Sequence, residues 1–126
     1  MVRVLVIDDS RAIRAVLRRM LVEMGFEVIE AGNGREALTT LAGERPDLCL
    51  VDWNMPEMDG LAFVEAVRAD ASFAEMPLLM VTTESEMERV IEALTAGANE
   101  YLMKPFTKDA LEAKLELLGV LGPSLA

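Results

Sequence analysis

Apolar positions along this chain recur in two rhythms, and the rhythms exchange five times. Residues 3–8 are almost continuously apolar and β-branched, the pattern of a strand buried on both faces. Ile13, Val16, Leu17, Met20, Leu21 and Met24 then follow at helical spacing, with Gly25 as the stop. Phe26 to Ala31 reads as a second strand. Asn33 and Glu36 form a capping pair for a helix whose inner face is Ala37, Leu38 and Leu41. Pro46 closes that connection, and residues 47–52 make the third strand. The turn-rich run Asn54 to Gly60 precedes a helix carrying Phe63, Val64 and Val67. Pro77 introduces a fourth strand, Leu78 to Thr82. Ser85 and Glu88 suit a capping box for a helix with Met87, Val90, Ile91 and Leu94 inward, ended by Gly97. Glu100 to Met103 is a short fifth strand, and Thr107 caps a last helix striped by Leu111, Leu115 and Leu118.

Five strand–helix units joined by short loops predict an α/β fold, a doubly wound parallel sheet with helices on both faces. Right-handed crossovers leave few topologies, of which the flavodoxin-like order 2-1-3-4-5 is a common one. One domain over residues 1–121 is expected, with residues 122–126 as a short tail. In that strand order two apolar runs that end in acids become neighbours: Val4–Ile7 runs into Asp8 and Asp9, and Leu48–Val51 runs into Asp52. Carboxylates at buried strand ends are costly unless a cation or a shifted pKa neutralises them. They also lie at the strands' C-terminal edge, where open α/β sheets bind ligands.

Composition narrows what such an edge can do. The 126 residues are 52% hydrophobic and 27% charged, which suits one globular unit. Net charge is −10, from 22 acidic and 12 basic residues, which argues against direct nucleic-acid binding. The absence of histidine removes His-based metal sites, Ser-His-Asp catalysis and a self-borne phosphohistidine. Cys49, the one cysteine, sits inside an apolar run and reads as core. The apolar run after Arg3 stops at Ile7, too short for a signal peptide or a membrane span, so a cytoplasmic protein without membrane insertion is expected.

Further candidates fall at the same edge. Thr82 closes the fourth strand, Lys104-Pro105 follows the fifth, and Asn54 and Pro56 lie just past Asp52. Clustered hard oxygens suit Mg²⁺. A metal and a lysine can neutralise a phosphoryl group in transfer, and a carboxylate within reach can accept it. Each residue alone has a plainer use. Asp8 and Asp9 could cap the first helix, Asp52 its own loop, Thr82 is a common strand residue, and Lys104 and Tyr101 could sit in solvent. Their coincidence at one edge is what the plain uses leave unexplained.

The runs VLVIDDS (4–10), LVDWNMPEMDG (50–60), MVTTE (80–84) and EYLMKPF (100–106) resemble the receiver domains of two-component response regulators, specifically the single-domain chemotaxis type. The likeness runs from about Arg3 through the last helix. It implies a phosphorylation-activated switch in a phosphorelay, with no activity beyond its own phosphotransfer and autodephosphorylation. Asp52 would accept the phosphoryl group from a sensor histidine kinase. Asp9, Asp52 and the Asn54 backbone carbonyl would hold Mg²⁺, with Asp8 orienting one of its waters. Lys104 would pair with the phosphoryl oxygens, and Thr82 would donate its hydroxyl to them. Tyr101 would then turn inward and alter the face formed by the fourth helix, fifth strand and fifth helix, where Met103 is a candidate contact for a downstream protein. The Lys104-Pro105 bond would be cis. A monomer or weak dimer is expected.

The chain departs from the enteric chemotaxis member of that family at Thr83-Glu84-Ser85-Glu86-Met87, which is bulkier just after Thr82 and acidic where lysines are usual. Asn54 and Glu84 match that member's pair flanking the pocket. Trp53, next to Asp52, is expected to lie partly exposed beside the metal and to lose fluorescence when Mg²⁺ binds. Other readings fit less well. A flavodoxin-like electron carrier would not place Asp8-Asp9 at its phosphate loop. A haloacid-dehalogenase phosphatase needs acids two apart, which Asp8-Asp9-Ser10 does not supply. A receiver-like interaction module, or a receiver cut from a larger DNA-binding regulator, keeps the fold and changes the partner.

Overall fold

A computed structural model describes residues 1–122, and Glu84 by its backbone alone. The expected tail lies, from residue 123 onward, outside the described residues. Strands β1 (Arg3–Ile7), β2 (Glu27–Ala31), β3 (Leu48–Asp52), β4 (Leu78–Thr82) and β5 (Glu100–Met103) alternate with helices α1 (Arg11–Glu23), α2 (Gly34–Glu44), α3 (Gly60–Arg68), α4 (Met87–Ala96) and α5 (Lys108–Leu117). The strands form one parallel sheet in the order β2-β1-β3-β4-β5, as the alternation predicts. Ile7 pairs with Val51, Asp52 with Val81, and Thr82 with Met103. That register brings the C-terminal ends of β1, β3, β4 and β5 level along one edge.

Alternation within the strands divides the core in two. Leu5, Ile7, Cys49, Val51, Leu78 and Met80 face α2, α3 and α4, meeting Ala37, Leu41, Phe63, Val64, Val67 and Ala93. Val4, Val6, Leu48, Leu50, Leu79, Val81 and Leu102 face Leu17 and Leu21 of α1 and Leu111 and Leu115 of α5. β3 and β4 are buried at every residue, which explains their unbroken apolar runs. Cys49 is such a core residue, and burial pushes its thiol well above the usual range, so it is inert as a nucleophile.

Most caps form where the sequence suggests. Ser10 accepts from the Ile13 N–H at 3.2 Å, Asn33 from Glu36 at 2.8 Å, Asp59 from Ala62 at 2.8 Å and Thr107 from Ala110 at 3.1 Å. The entrance to α4 differs. A 3₁₀ turn over Glu84–Glu86 precedes the helix, and Glu86 at its cap position makes no side-chain cap bond. Ser85 instead meets the Thr83 hydroxyl at 3.0 Å, because Thr83 and Glu86, also three apart, close on each other first. Val16 and Ile91, expected inward, are 46% and 68% exposed. Each adjoins a buried neighbour, Leu17 or Val90, and consecutive helical residues point about 100° apart. The Lys104-Pro105 bond is cis.

The start of α3 is pressed against the loop that follows β3. The Gly60 N–H bonds the Trp53 carbonyl at 2.9 Å, and a Cβ at Gly60 would stand 2.7 Å from Met80 Cε and 3.1 Å from Trp53 Cα. Met80 is fully buried and has little room to yield. Gly60→Ala is therefore expected to cost about 1–3 kcal/mol of stability in urea denaturation. An unchanged midpoint would show that the loop after Asp52 has slack.

Candidate phosphoryl and metal site

Three strand ends supply the pocket, and each does so for a reason of alternation. Ile7, Val51 and Tyr101 belong to the α2–α3–α4 side of the sheet. By strict period two, Asp8, Asp52 and Lys104 therefore turn to the other side. Their side chains meet there. Lys104 Nζ lies 3.2 Å from Asp52 Oδ1 and 3.3 Å from Asp8 Oδ2. Asp8 and Asp52 are almost wholly buried, while Lys104 keeps part of its side chain in solvent. Asp9 is exposed, and the carboxylates of Asp8, Asp9 and Asp52 offer oxygens within 4.8 Å of one another.

Backbone geometry holds these ends in place. The Trp53 N–H bonds the Val81 carbonyl at 3.0 Å, and the Lys104 N–H bonds the Thr82 carbonyl at 2.6 Å, so the ladder continues one residue past β3 and β5. The other oxygen of Asp8 accepts the Ser10 N–H at 2.8 Å, and the Asn54 N–H donates to the Asp52 carboxylate. Arg14 also takes part: its guanidinium bonds the Asp8 carbonyl at 2.5 Å and Glu30 Oε1 at 3.0 Å, tying α1, β2 and the acid-bearing loop together. Sequence reasoning passed over Arg14. Its only signal was a cation one turn beyond Ser10 on the helix following the paired acids.

Charge in the pocket is unbalanced. Burial raises the Asp52 carboxyl first, and the Asp8 charge raises it further. Against them, Lys104 and the Asn54 amide lower it, leaving it at about 6. Burial pulls Lys104 down, but attraction from Asp52 and then Asp8 outweighs it, so the ammonium is held above its usual range. One lysine thus faces three carboxylates.

Thr82 and Trp53 lie apart from the acids. Thr82 is fully buried, but alternation turns it to the α4 side, and its hydroxyl donates to the Thr83 carbonyl at 3.3 Å. Trp53 is 3% exposed, which corrects the expectation of a partly exposed indole beside the metal. It follows Asp52, so it faces the opposite side of the sheet, where it packs against Gly60 under Arg89, whose guanidinium carbon is 5.5 Å from the ring centroid. Tyr101 and Met103 are half-buried on β5, with Lys114 Nζ 4.5 Å from the Tyr101 ring centroid. Asn54 is exposed in the loop after β3. In that loop Glu57 takes φ +67° inside a tight turn closed by a 2.7 Å bond from Met58 N–H to the Pro56 carbonyl.

Comparison with known proteins agrees with the fold. Residues 4–116 match the family model of the response regulator receiver domain. The chain is 45% identical over 118 residues to the chemotaxis protein CheY1 of Helicobacter pylori, covering 92% of this chain and 95% of that protein. It is 45% identical over 116 residues to a CheY homolog of Campylobacter jejuni, covering 90% and 89%. The crystallised chemotaxis response regulator CheY4 of Vibrio cholerae superposes with a TM-score of 0.88 at 40% identity, covering 94% of this chain and 98% of that one.

The raised Asp52 carboxyl has a consequence for stability. In the folded chain Asp52 takes its proton near pH 6, and in the unfolded chain near pH 4. Between those values the folded state binds more protons, so stability falls as pH rises through the window. In metal-free buffer at pH 7, Asp52→Asn is expected to stabilise the chain by about 1–2 kcal/mol, part of the gain being offset because Lys104 loses one partner. The gain should vanish between pH 6 and pH 4. A variant no more stable than wild type in urea at pH 7 would show that the charge is already balanced.

Proposed function

The chain belongs to the response regulator receiver domains, a family of phosphorylation-activated two-component switches, and we propose that Asp52 is its phospho-acceptor. The observation that carries this reading is the position of Asp52: nearly buried, held by Lys104 and the Asn54 amide, and still within reach of the mouth formed by exposed Asp9. A carboxylate oxygen of Asp52 attacks the phosphorus of a phosphohistidine on a partner kinase. The oxygen–phosphorus bond forms as the phosphorus–nitrogen bond breaks, and the electron pair returns to the imidazole nitrogen, which takes up a proton. Lys104 then holds a phosphoryl oxygen in place of part of its contact with Asp52.

The donor set fits Mg²⁺. Hard carboxylate oxygens from Asp8, Asp9 and Asp52 converge within 4.8 Å, and one lysine is too few cations for them. Asp9, Asp52 and the Asn54 backbone carbonyl would hold the ion, with Asp8 beside it. Bound there, it would neutralise charge on the phosphoryl oxygens during transfer. Asp8 also fixes Lys104, so its loss should misplace the ammonium as well as weaken the metal site.

Thr82 supplies a hydroxyl to the phosphoryl group by moving from its contact with Thr83, and Tyr101 and Met103 on β5 report that movement to a downstream protein target. The similarity to chemotaxis proteins makes a chemotaxis pathway the first to test. We place the chain in the cytoplasm, as a monomer or weak dimer that acts only on its own aspartate. Among the described residues no helix is long and apolar enough to cross a membrane.

Incubation with acetyl phosphate and Mg²⁺ tests the acceptor. Wild type should gain one acid-labile phosphoryl group, seen by intact-mass spectrometry at neutral pH and lost in hydroxylamine, while Asp52→Asn gains none. An unmodified wild type, or a modified Asp52→Asn, would rule Asp52 out.

A further inference from the structure

The C-terminal end of β4 holds three donors bonded within their own turn. The Thr82 hydroxyl is spent on the Thr83 carbonyl, and the Thr83 N–H is spent on Glu86 Oε1 at 3.1 Å. The Thr83 hydroxyl reaches the same carboxylate oxygen at 2.7 Å and meets Ser85 Oγ at 3.0 Å. Glu86 is half-buried, so this contact is partly shielded from water.

The direction of the Thr83 amide follows from the sheet. The Thr82 carbonyl points towards β5, where it accepts the Lys104 N–H. A trans peptide turns its N–H opposite to its carbonyl, so the Thr83 N–H points towards β3 and the end that carries Asp52. Helix α4 leans the same way: Arg89, three residues beyond Glu86, lies over the ring of Trp53, the residue after Asp52. The Glu86 carboxylate is therefore bonded to a donor aimed at the β3 side of β4, the strand whose end carries Asp52.

A phosphoryl group on Asp52 brings three acceptor oxygens, and Lys104 alone cannot satisfy them. The donors at the end of β4 are the nearest backbone and hydroxyl groups of the adjoining strand. We propose that Glu86 is an intramolecular competitor for the phosphoryl group, whose carboxylate occupies the Thr83 amide and must leave it before the β4–α4 turn can close on phosphorylated Asp52. Glu86 is thus a positioning residue, acting through Thr83. The inference rests on Asp52 as the acceptor.

A purely structural role is also available to this pair, since Thr83-Glu84-Ser85-Glu86 has the spacing of a capping box. The two roles differ in sign. A cap stabilises the turn, and removing it lowers stability without improving the fit of a phosphoryl group. A competitor, once removed, raises that affinity. Beryllium fluoride, which mimics a phosphoryl group on a carboxylate, is the probe, titrated at saturating Mg²⁺ and followed by amide resonances. Glu86→Ala is expected to lower the half-saturating concentration about tenfold, since a charge-assisted bond no longer competes. Glu86→Gln, which keeps a neutral acceptor, should fall between it and wild type. Equal or weaker binding by Glu86→Ala, with wild type responding and Asp52→Asn silent, overturns the competitor and leaves the acceptor standing. A silent wild type overturns both.

Discussion

Everything at the functional edge hangs on one ammonium shared between two buried carboxylates. Lys104 reaches Asp52 from the end of β5 and Asp8 from across the sheet, so a single cation ties together the ends of three strands. Taking a charge out of water costs several kcal/mol per ion; attraction at 3.2 and 3.3 Å outweighs that cost for Lys104 but offsets only part of it for Asp52. Asp9 adds a third carboxylate at the rim, while the Arg14 guanidinium bonds the Asp8 carbonyl and Glu30 instead of these carboxylates. The pocket is held together and still under-neutralised. That combination lets it respond to an arriving cation or phosphoryl group, because the ground state leaves interaction energy unused.

In the proposed switch, the sheet sets the direction in which this local imbalance is read. Alternation sends Asp8, Asp52 and Lys104 to the α1–α5 side, and Thr82, Tyr101 and Met103 to the α4 side. On the proposed reading, chemistry and read-out therefore occupy opposite faces of the same strand ends. The backbone at the end of β4 lies between them, with the Thr82 carbonyl bonded to Lys104 and the Thr83 amide to Glu86.

Much of this was legible in the sequence, and the reasons are specific. Continuous apolar runs forced β3 and β4 into the sheet centre, and acids at the ends of β1 and β3 marked the edge before any topology was known. The strand order then made Asp8, Asp9 and Asp52 neighbours. What was not legible depended on which of two adjacent positions wins a contact. Val16 and Ile91 carry the right chemistry for the core but lie 100° from residues that fill it first. Trp53 looked like a neighbour of the metal because it follows Asp52, and for that same reason it faces the other way. At α4, Ser85 and Glu88 had the spacing of a cap, yet Thr83 and Glu86 share that spacing and formed the contact. Arg14 carried only a faint signal, because its side-chain partner Glu30 is brought to it by the packing of α1 on β2.

The central claim is that the pocket carries more negative charge than Lys104 can balance, and Asp52 reports it. The most direct measurement is a ¹³C NMR titration of the Asp52 side-chain carboxyl in metal-free protein, repeated with Mg²⁺. The charge imbalance predicts a midpoint near pH 6 without metal and a marked fall when Mg²⁺ is added. A metal-free midpoint at or below the ordinary aspartate value, about 4, would contradict it.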